Sequence, residues 1–368
     1  MKKTIVCGLV MTPLLIDLAQ IPAYGQNAPV AAGQSFDGNA MTSAVAYWTE
    51  ERLQNAQPMP LLDVSNDVPG PPIMENSGGG SSPGQPPAFS FASRRARGAN
   101  NAPQDIPPPA VTYSYPFPYT RYFVWGPLYD GVNNDLYPYS TIGRLFFTIN
   151  GADHSCSASV AHPHTLITAR HCIFNYIDPS GGQFATNVVF YPNWQNGPNP
   201  SLGAWPARRL YTWVSNAPNY NYDIGFIQLF DDDRAGCGGS FGGNPIESYT
   251  GWLGWEWGFD YSRKHWDSIG YPADPPFDGR WMTESESSTG DLNPLGFTDT
   301  IEVGSDQTGG ASGGPWLLYF SPGGQGYVNG INSFKFTNPD HSGAMASPQF
   351  WVYNYANLRD GALALSCP

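Results

Sequence analysis

The sequence predicts an all-β fold from about Tyr119 to the carboxyl terminus. Short apolar or alternating runs recur in this part, separated by Gly, Pro and Asn, which is the pattern of strands joined by turns. Helical periodicity is almost absent there, and the whole chain has 42 glycines and 36 prolines among 368 residues. About 250 residues suffice for one β domain or for two fused barrels. The clearest runs are Arg144 to Ile149, Asn187 to Tyr191, Arg209 to Val214 and Ile224 to Phe230.

The charge of the chain argues against a nucleic-acid partner. The formal net charge is -13 and only 13% of the residues are charged. A phosphate backbone is attracted by basic surfaces, so this composition makes nucleic-acid binding a poor interpretation. The abundant aromatic residues, 21 Tyr, 20 Phe and 12 Trp, are instead enough for a large core.

The first residues have the pattern of a signal peptide. Two lysines at positions 2 and 3 precede the apolar run Ile5 to Ile16, and small residues follow at Ala23 and Gly25. This pattern predicts cleavage after Gly25, and therefore a secreted or periplasmic protein. The apolar run is short for a membrane span and is followed by Asp17, so a stable membrane anchor is the lesser alternative.

Residues 26–118 have the composition of a prosegment. Pro- and Gly-rich stretches such as Asn66 to Phe89 cannot form continuous backbone ladders, so we expect this segment to be largely disordered. One island, Ser43 to Pro58, has a capping serine and apolar residues near helical spacing, which predicts a short helix near residues 43–56. The basic patch Ser93 to Gly98 is either a processing site or a solvated linker.

Four cysteines remain after removal of the signal peptide, an even number in an exported chain. We expect two disulfides, Cys156 with Cys172 around a short loop and Cys237 with Cys367. Free thiols are the alternative.

Three residues together indicate nucleophilic catalysis. Ser312 lies in the stretch Ser305 to Trp316, where small neighbours let a substrate backbone approach its hydroxyl. A hydroxyl needs a base, and the base needs an acceptor on its other ring nitrogen. His171, at the end of a predicted strand, is the candidate base, and Asp223, directly before another strand, is the candidate acceptor. Each residue is ambiguous alone, but the three in separate loops predict a His-Asp-Ser site.

Gly310 completes this prediction. It lies two residues before Ser312, which allows its backbone N–H to point the same way as that of the serine. Two such donors would form an oxyanion hole, and each is worth roughly 10²–10³ in rate. A glycine-rich turn with an incidental serine is the alternative, but the following Gly314-Pro315-Trp316 makes the motif more specific.

These residues resemble the chymotrypsin family of serine peptidases. The resemblance rests on the stretches Cys156 to Cys172, Tyr222 to Leu229 and Gly309 to Trp316, and it covers about Tyr137 to Pro368. The stretches Gly251 to Trp255 and Ser268 to Asp274 are similar to the bacterial, glutamyl-endopeptidase-like branch.

The resemblance implies a trypsin-like serine peptidase domain at 119–368, with two six-stranded antiparallel barrels and the active site in the cleft between them. It implies an acyl-enzyme mechanism on polypeptide substrates, with His171 as base, Asp223 as its orienter and Ser312 as nucleophile. Gly310 and Ser312 are the implied oxyanion donors. No metal or other cofactor is expected, and a monomer is the default.

Two residues depart from the family pattern. Ala311 stands where the animal enzymes carry an aspartate that pairs with a newly cut amino terminus. Activation by that switch is therefore excluded, and removal of the prosegment must act by unblocking the cleft or releasing the chain. Arg170 replaces a small residue before the histidine, and we expect its side chain to reach solvent.

The strand Asn329 to Phe336 resembles the strand that lines the primary specificity pocket, with an ordinary edge strand as the alternative. We expect Ser333 to hydrogen-bond Asp223 and Phe334 to form a pocket wall. Asp306, six residues before the serine, favours a basic substrate side chain. Relatives that cut after Glu have a histidine where this chain has Asn332, which argues against strict Glu preference. Lys335 could still attract an acidic side chain, or it could point to solvent.

Two other interpretations remain open. The chain could be a catalytically inactive peptidase-like binding protein of the cell envelope. The pair His162 and His164 and the run Asp231 to Arg234 could suggest metal sites, but their spacing favours surface turns.

Overall fold

The computed structural model describes residues 29–64, 78–89, 110–112, 117–124, 135–177, 181–215, 220–232, 243–297, 299–321 and 324–364. Its secondary structure is mostly β, as the sequence predicts. The first strands and helices are β1 (Ala31–Ser35), α1 (Gly38–Tyr47), α2 (Glu50–Asn55), β2 (Gln57–Pro58), β3 (Leu62–Val64), β4 (Gly80–Ser82), β5 (Ala110–Thr112) and β6 (Tyr119–Val124).

Most of the remaining elements are strands, with helices of four to eight residues between or after them. They are β7 (Ile142–Ile149), β8 (Ala152–His162), β9 (Thr165–Thr168), α3 (Arg170–Ile173), β10 (Phe174–Ile177), β11 (Gly181–Phe184), β12 (Thr186–Pro192), β13 (Trp205–Trp213), β14 (Gly225–Leu229), α4 (Glu247–Thr250), β15 (Gly254–Trp257), β16 (His265–Gly270), β17 (Met282–Leu292), β18 (Thr300–Gly304), β19 (Pro315–Leu318), β20 (Tyr327–Ile331), β21 (Phe334–Phe336), β22 (Ala344–Pro348) and α5 (Asn357–Ala364).

Six strands between residues 142 and 229 form a closed antiparallel barrel. The pairing runs β7–β8–β9–β14–β13–β12 and returns from β12 to β7. Leu145, Phe147, Val160 and Ile227 are fully buried in its core. Closure leaves no free edge within this circuit of strands, which is how barrels avoid an exposed strand edge.

The second sheet is organised around the long strand β17. It pairs with β16, β18 and β6, and the sheet continues through β19 and β20 on one side and through β22 and β21 on the other. Strands β20 and β21 are consecutive in the chain, separated by Asn332 and Ser333. Three additions come from before residue 125: β3 on β21, β4 on β15, and β6 with β5 on β17.

The expectation of a largely disordered segment before residue 119 is wrong for residues 29–64 and 78–89. Strand β1 pairs with β13, β2 with β8, β3 with β21 and β4 with β15. Among the described residues, these four short strands do not pair with one another. Strands of the two main sheets supply their hydrogen-bond partners, and the composition of the short segments does not reveal those distant partners.

The expected single helix near residues 43–56 is two helices. Asp37 caps α1 by accepting from the Ala40 N–H, and Thr49 caps α2 by accepting from the Arg52 N–H. Ser43, the expected cap, lies inside α1. A second cap at Thr49 explains the break, because Ser, Thr and Asp favour helix starts.

One helical region escaped prediction. A π-helical turn, Val352–Ala356, leads into α5, which packs on β13 and β14. Gln228 Nε2 donates to the Ala362 carbonyl at 2.7 Å, which ties this helix to the barrel.

A disulfide joins Cys156 to Cys172. Cys237, Cys367, the expected signal peptide and the basic patch 93–98 lie outside the described residues. Among the described helices, none combines the length and apolar character that a membrane crossing requires.

Candidate active site

The imidazole of His171 is held by a buried carboxylate. His171 lies in α3, directly after β9, and Asp223 lies between a 3₁₀ turn, Tyr220–Tyr222, and β14. His171 Nδ1 is 2.9 Å from Asp223 Oδ2, and the His171 backbone N–H donates to Asp223 Oδ1 at 2.9 Å. Strands β9 and β14 are neighbours in the barrel. The pairing of these strands therefore brings the two residues together, and both contacts fix the orientation of the ring.

Asp223 is stabilised as a carboxylate despite full burial. Burial by itself raises the pKa of a carboxyl group, but the charge and hydrogen bond of His171, the charge of Arg170 and the hydrogen bond of Ser333 together lower the pKa of Asp223 below its ordinary value. The Ser333 hydroxyl donates to Asp223 Oδ2. Arg170 is buried rather than directed to solvent, so the expectation for that side chain is wrong.

Ser312 lies in a tight turn between β18 and β19. Gly310 and Gly313 on either side have φ values of +89° and +80°, in the left-handed region that favours glycine. A Cβ at Gly313 would overlap the Thr168 side chain. The Ser157 N–H donates to the Ser312 carbonyl at 2.8 Å, and the Ser157 hydroxyl donates to the Gly310 carbonyl at 2.9 Å. Strands β8 and β9 of the barrel thus buttress the serine turn.

Two side-chain atoms of the candidate site residues His171 and Ser312 have no hydrogen-bond partner among the described residues. His171 Nε2 and Ser312 Oγ are both buried, and neither makes a hydrogen bond to a described residue. Cys172, the residue after His171, has its Sγ 3.7 Å from the Ser312 carbonyl oxygen. Nucleophile-to-base hydrogen bonds are often absent before a substrate is bound.

The Gly310 N–H is already occupied. It donates to the carbonyl oxygen of Met59 at 3.0 Å, and the Met59 N–H donates to the Ser155 carbonyl at 2.9 Å. No sequence pattern predicts a role for Met59. The only local signal is that Pro58 and Pro60 flank it, which favours extended backbone.

Asp306 is not a free carboxylate. Arg121 of β6 forms a salt bridge with it through Nη1 and Oδ2, and the Arg121 side chain is only 11% exposed. Lys335 of β21 is close enough to interact electrostatically with Asp306 and with Asp63 of β3; burial lowers the pKa of Lys335, and the two carboxylates partly offset this effect. Neither Arg121 nor Asp63 carries a sequence signal that points to a pocket.

The Asn332 side chain hydrogen-bonds to neighbouring strands inside the protein. Its Oδ1 accepts from the Ser268 hydroxyl at 2.7 Å and from the Trp316 indole N–H at 2.8 Å, and the residue is fully buried. Phe334 is also fully buried, and it packs with Phe336 and Val64. The structure therefore places Ser333, between these two residues, against Asp223, while Asn332 joins strands.

The histidines 162 and 164 do not share a site. His162 stacks on Trp255, and burial lowers its pKa to about 4. His164 Nδ1 is instead 2.9 Å from Asp231 Oδ1. The two rings serve different contacts.

Comparison with known proteins gives relatives among bacterial proteases. The chain is 28% identical over 189 residues to the glutamyl endopeptidase of Bacillus licheniformis, a match that covers 50% of each protein. The chain thus spans about half the length of this curated relative. No family model matches the chain.

Solved structures extend this likeness. The protease Anisep from Arthrobacter nicotinovorans is 29% identical, with a TM-score of 0.51, and the match covers 61% of this chain and 96% of that one. The thermostable serine protease AL20 from an extremophilic microorganism is 30% identical, with a TM-score of 0.49, covering 59% of this chain and 96% of that one. The match to Anisep supports the same β architecture.

Proposed function

We propose, because the chain is related to the trypsin-like serine peptidases of the glutamyl endopeptidase branch, that it is a serine endopeptidase acting through an acyl-enzyme. The observation that carries the proposal is the buried pair of His171 and Asp223, which two hydrogen bonds join, together with the 3.7 Å distance from the adjacent Cys172 Sγ to the Ser312 carbonyl oxygen.

The proposed mechanism follows from the roles these groups can perform. Ser312 attacks a substrate carbonyl while His171 Nε2 accepts the hydroxyl proton, and Asp223 keeps the ring in the required tautomer. The Gly310 and Ser312 N–H groups stabilise the oxyanion. His171 then returns the proton to the leaving amine, and water releases the acyl group by the same route in reverse. All groups come from this chain, so no cofactor is part of the proposal.

We infer that the second sheet forms a second six-stranded barrel and that the site lies between the two barrels. The sheet runs in the order β22–β18–β17–β16–β19–β20. The continuous stretch β20–β21 would close it into a barrel by returning to β22. Supporting contacts are the Ser333 N–H donating to the Ala346 carbonyl at 3.1 Å and the Ile331 N–H donating to Ser347 Oγ at 2.9 Å. The peptidase domain would then begin near Tyr119, where β6 begins.

For specificity, we infer a preference for acidic substrate side chains. Arg121 neutralises Asp306, so a basic side chain would have to displace a nearly buried guanidinium, and the basic preference expected from Asp306 alone is dropped. Lys335 then remains as the ammonium group of the pocket strand. The name of the curated relative, a glutamyl endopeptidase, agrees with this choice.

We also propose that the chain is exported and processed. The support is the pattern of the first 25 residues and the basic patch 93–98 in the sequence. Amino-terminal sequencing of the secreted or periplasmic product would locate both cleavage points. Gel filtration of that product would test the expected monomer.

A fluorophosphonate probe tests the catalytic proposal. We expect the processed protein to be labelled at Ser312 and the Ser312→Ala variant to take no label. Digestion of a denatured proteome should then give cuts after acidic residues. A folded, processed protein that takes no label would instead be the inactive binding protein.

A further inference from the structure

Residues 56–64, here called the cleft segment, run along three parts of the proposed site. Strand β2 pairs in parallel with β8 at His154 and Ser155, and β3 pairs in parallel with the pocket strand β21. Met59 lies between these strands, with its carbonyl oxygen on the Gly310 N–H. The segment therefore begins on the closed barrel, passes the expected oxyanion donor and ends on the pocket strand.

The end of the cleft segment is held by apolar and charged contacts. Val64 is fully buried in a cluster with Phe297, Phe334 and Phe336, and its carbonyl accepts from the Thr337 N–H at 3.0 Å. Asp63 lies in register with Lys335. The segment thus places an acidic residue beside the ammonium group that we propose for acidic substrates.

The direction of the segment is opposite to that of a substrate. In an acyl-enzyme, the pocket holds the residue that supplies the carbonyl, so the part of a substrate before the scissile bond lies on the pocket side. Here the carbonyl on Gly310 belongs to Met59, yet residues after Met59, not before it, pair with the pocket strand. Cleavage after Met59 would therefore require the Pro60 nitrogen to leave from the pocket side, where a substrate has the residues before its scissile bond.

We propose that the cleft segment is a built-in inhibitor, bound in the reverse of the substrate direction with the Met59 carbonyl on one oxyanion donor. The proposal rests on the proposed function, since it assigns Gly310 and β21 their roles from it. Occupation of the site explains why Ser312 Oγ and His171 Nε2 are buried in the uncleaved chain. Reverse binding explains how the segment can cover the site without being cleaved there.

The first test releases the segment in the uncleaved chain. Val64→Asp puts a charge into the apolar cluster, and we expect Ser312 of the intact chain to be labelled by a fluorophosphonate at least about tenfold faster than in wild type. Gln54→Asp, at an exposed position of α2, is the matched control and should leave the rate unchanged. Asp63→Lys disturbs no core contact and should accelerate labelling about two- to fivefold. Equal rates in all intact chains, with faster labelling after processing, would overturn the proposal.

The second test measures direction without using activity. In the uncleaved chain, the pair Asp63→Cys and Lys335→Cys should form a disulfide on oxidation with copper phenanthroline, detected by mass spectrometry after proteolysis. The pair Gln57→Cys and Lys335→Cys should not. Absence of the first crosslink refutes the reverse binding. If the crosslink forms but the processed wild-type protein, which carries no crosslink, is never labelled, the proposed function is refuted and the reverse contact is still established.

Discussion

The two sides of the proposed site differ in how their polar groups are engaged. On the barrel side, His171 and Asp223 satisfy each other, with Ser333 adding a third contact. On the side of the second sheet, Ser312 Oγ has no described partner, and the Gly310 N–H bonds to Met59. The proposed acid–base pair is therefore preassembled, whereas the proposed oxyanion donor, the Gly310 N–H, already has a partner. Any difference between precursor and active protein should thus concern the second side.

The largest expected effect is that of Asp223→Asn on the turnover of the processed protein. The amide disfavours the required histidine tautomer, so kcat should fall by about 10⁴. Steady-state peptide hydrolysis measures the effect. Asp340→Asn, on an exposed turn, should keep normal turnover. A loss below tenfold would show that the barrel side is not the acid–base half.

Gly310→Ala tests the proposed oxyanion donor on the side of the second sheet. A Cβ there would lie 2.9 Å from the Tyr271 carbonyl at a φ of +89°, which should displace the N–H and lower kcat by roughly 10²–10³. Gly151→Ala has a similar φ of +76° with open space around it, and therefore controls for backbone strain alone. Equal kcat losses in both variants would contradict an oxyanion role.

Ser333→Ala tests the hydrogen bond that the second sheet makes to Asp223 on the barrel side. It removes one hydrogen bond to a buried carboxylate, so the free energy of unfolding should fall by about 1.5–3 kcal/mol. Urea denaturation measures this change, and Ser342→Ala, at an exposed site, should have little effect. Unchanged stability would mean that the contact contributes nothing.

The smallest expected effect is on acid stability. The pKa of Asp223 is lowered in the folded chain, so between that value and the ordinary carboxyl pKa the unfolded state binds more protons. This contribution is complete above the ordinary pKa and is lost as the pH falls through the folded value. The Tm of wild type should therefore fall more steeply on acidification than that of Asp223→Asn. Parallel curves would contradict the lowered pKa.

The cleft segment shows what local sequence patterns miss. Pro58 and Pro60 predict extended backbone, but only the partner strands decide that this stretch lies against β8 and β21 rather than in solvent. In the same way, Asp306 alone indicates a basic preference, and Arg121, 185 residues away in the chain, reverses that interpretation. The prediction of a single helix near residues 43–56 was wrong for a local reason, because Thr49 supplies a second helix cap.

The sequence by itself determined the β character, the His-Asp-Ser candidates and the position of Gly310 two residues before the serine. These features depend on alternation, turn chemistry and residue type within a few positions. Only the tertiary structure decided which charges neutralise each other and what lies on the Gly310 N–H. Such contacts join residues far apart in the chain, and their free energy depends on burial and mutual geometry that no short stretch contains.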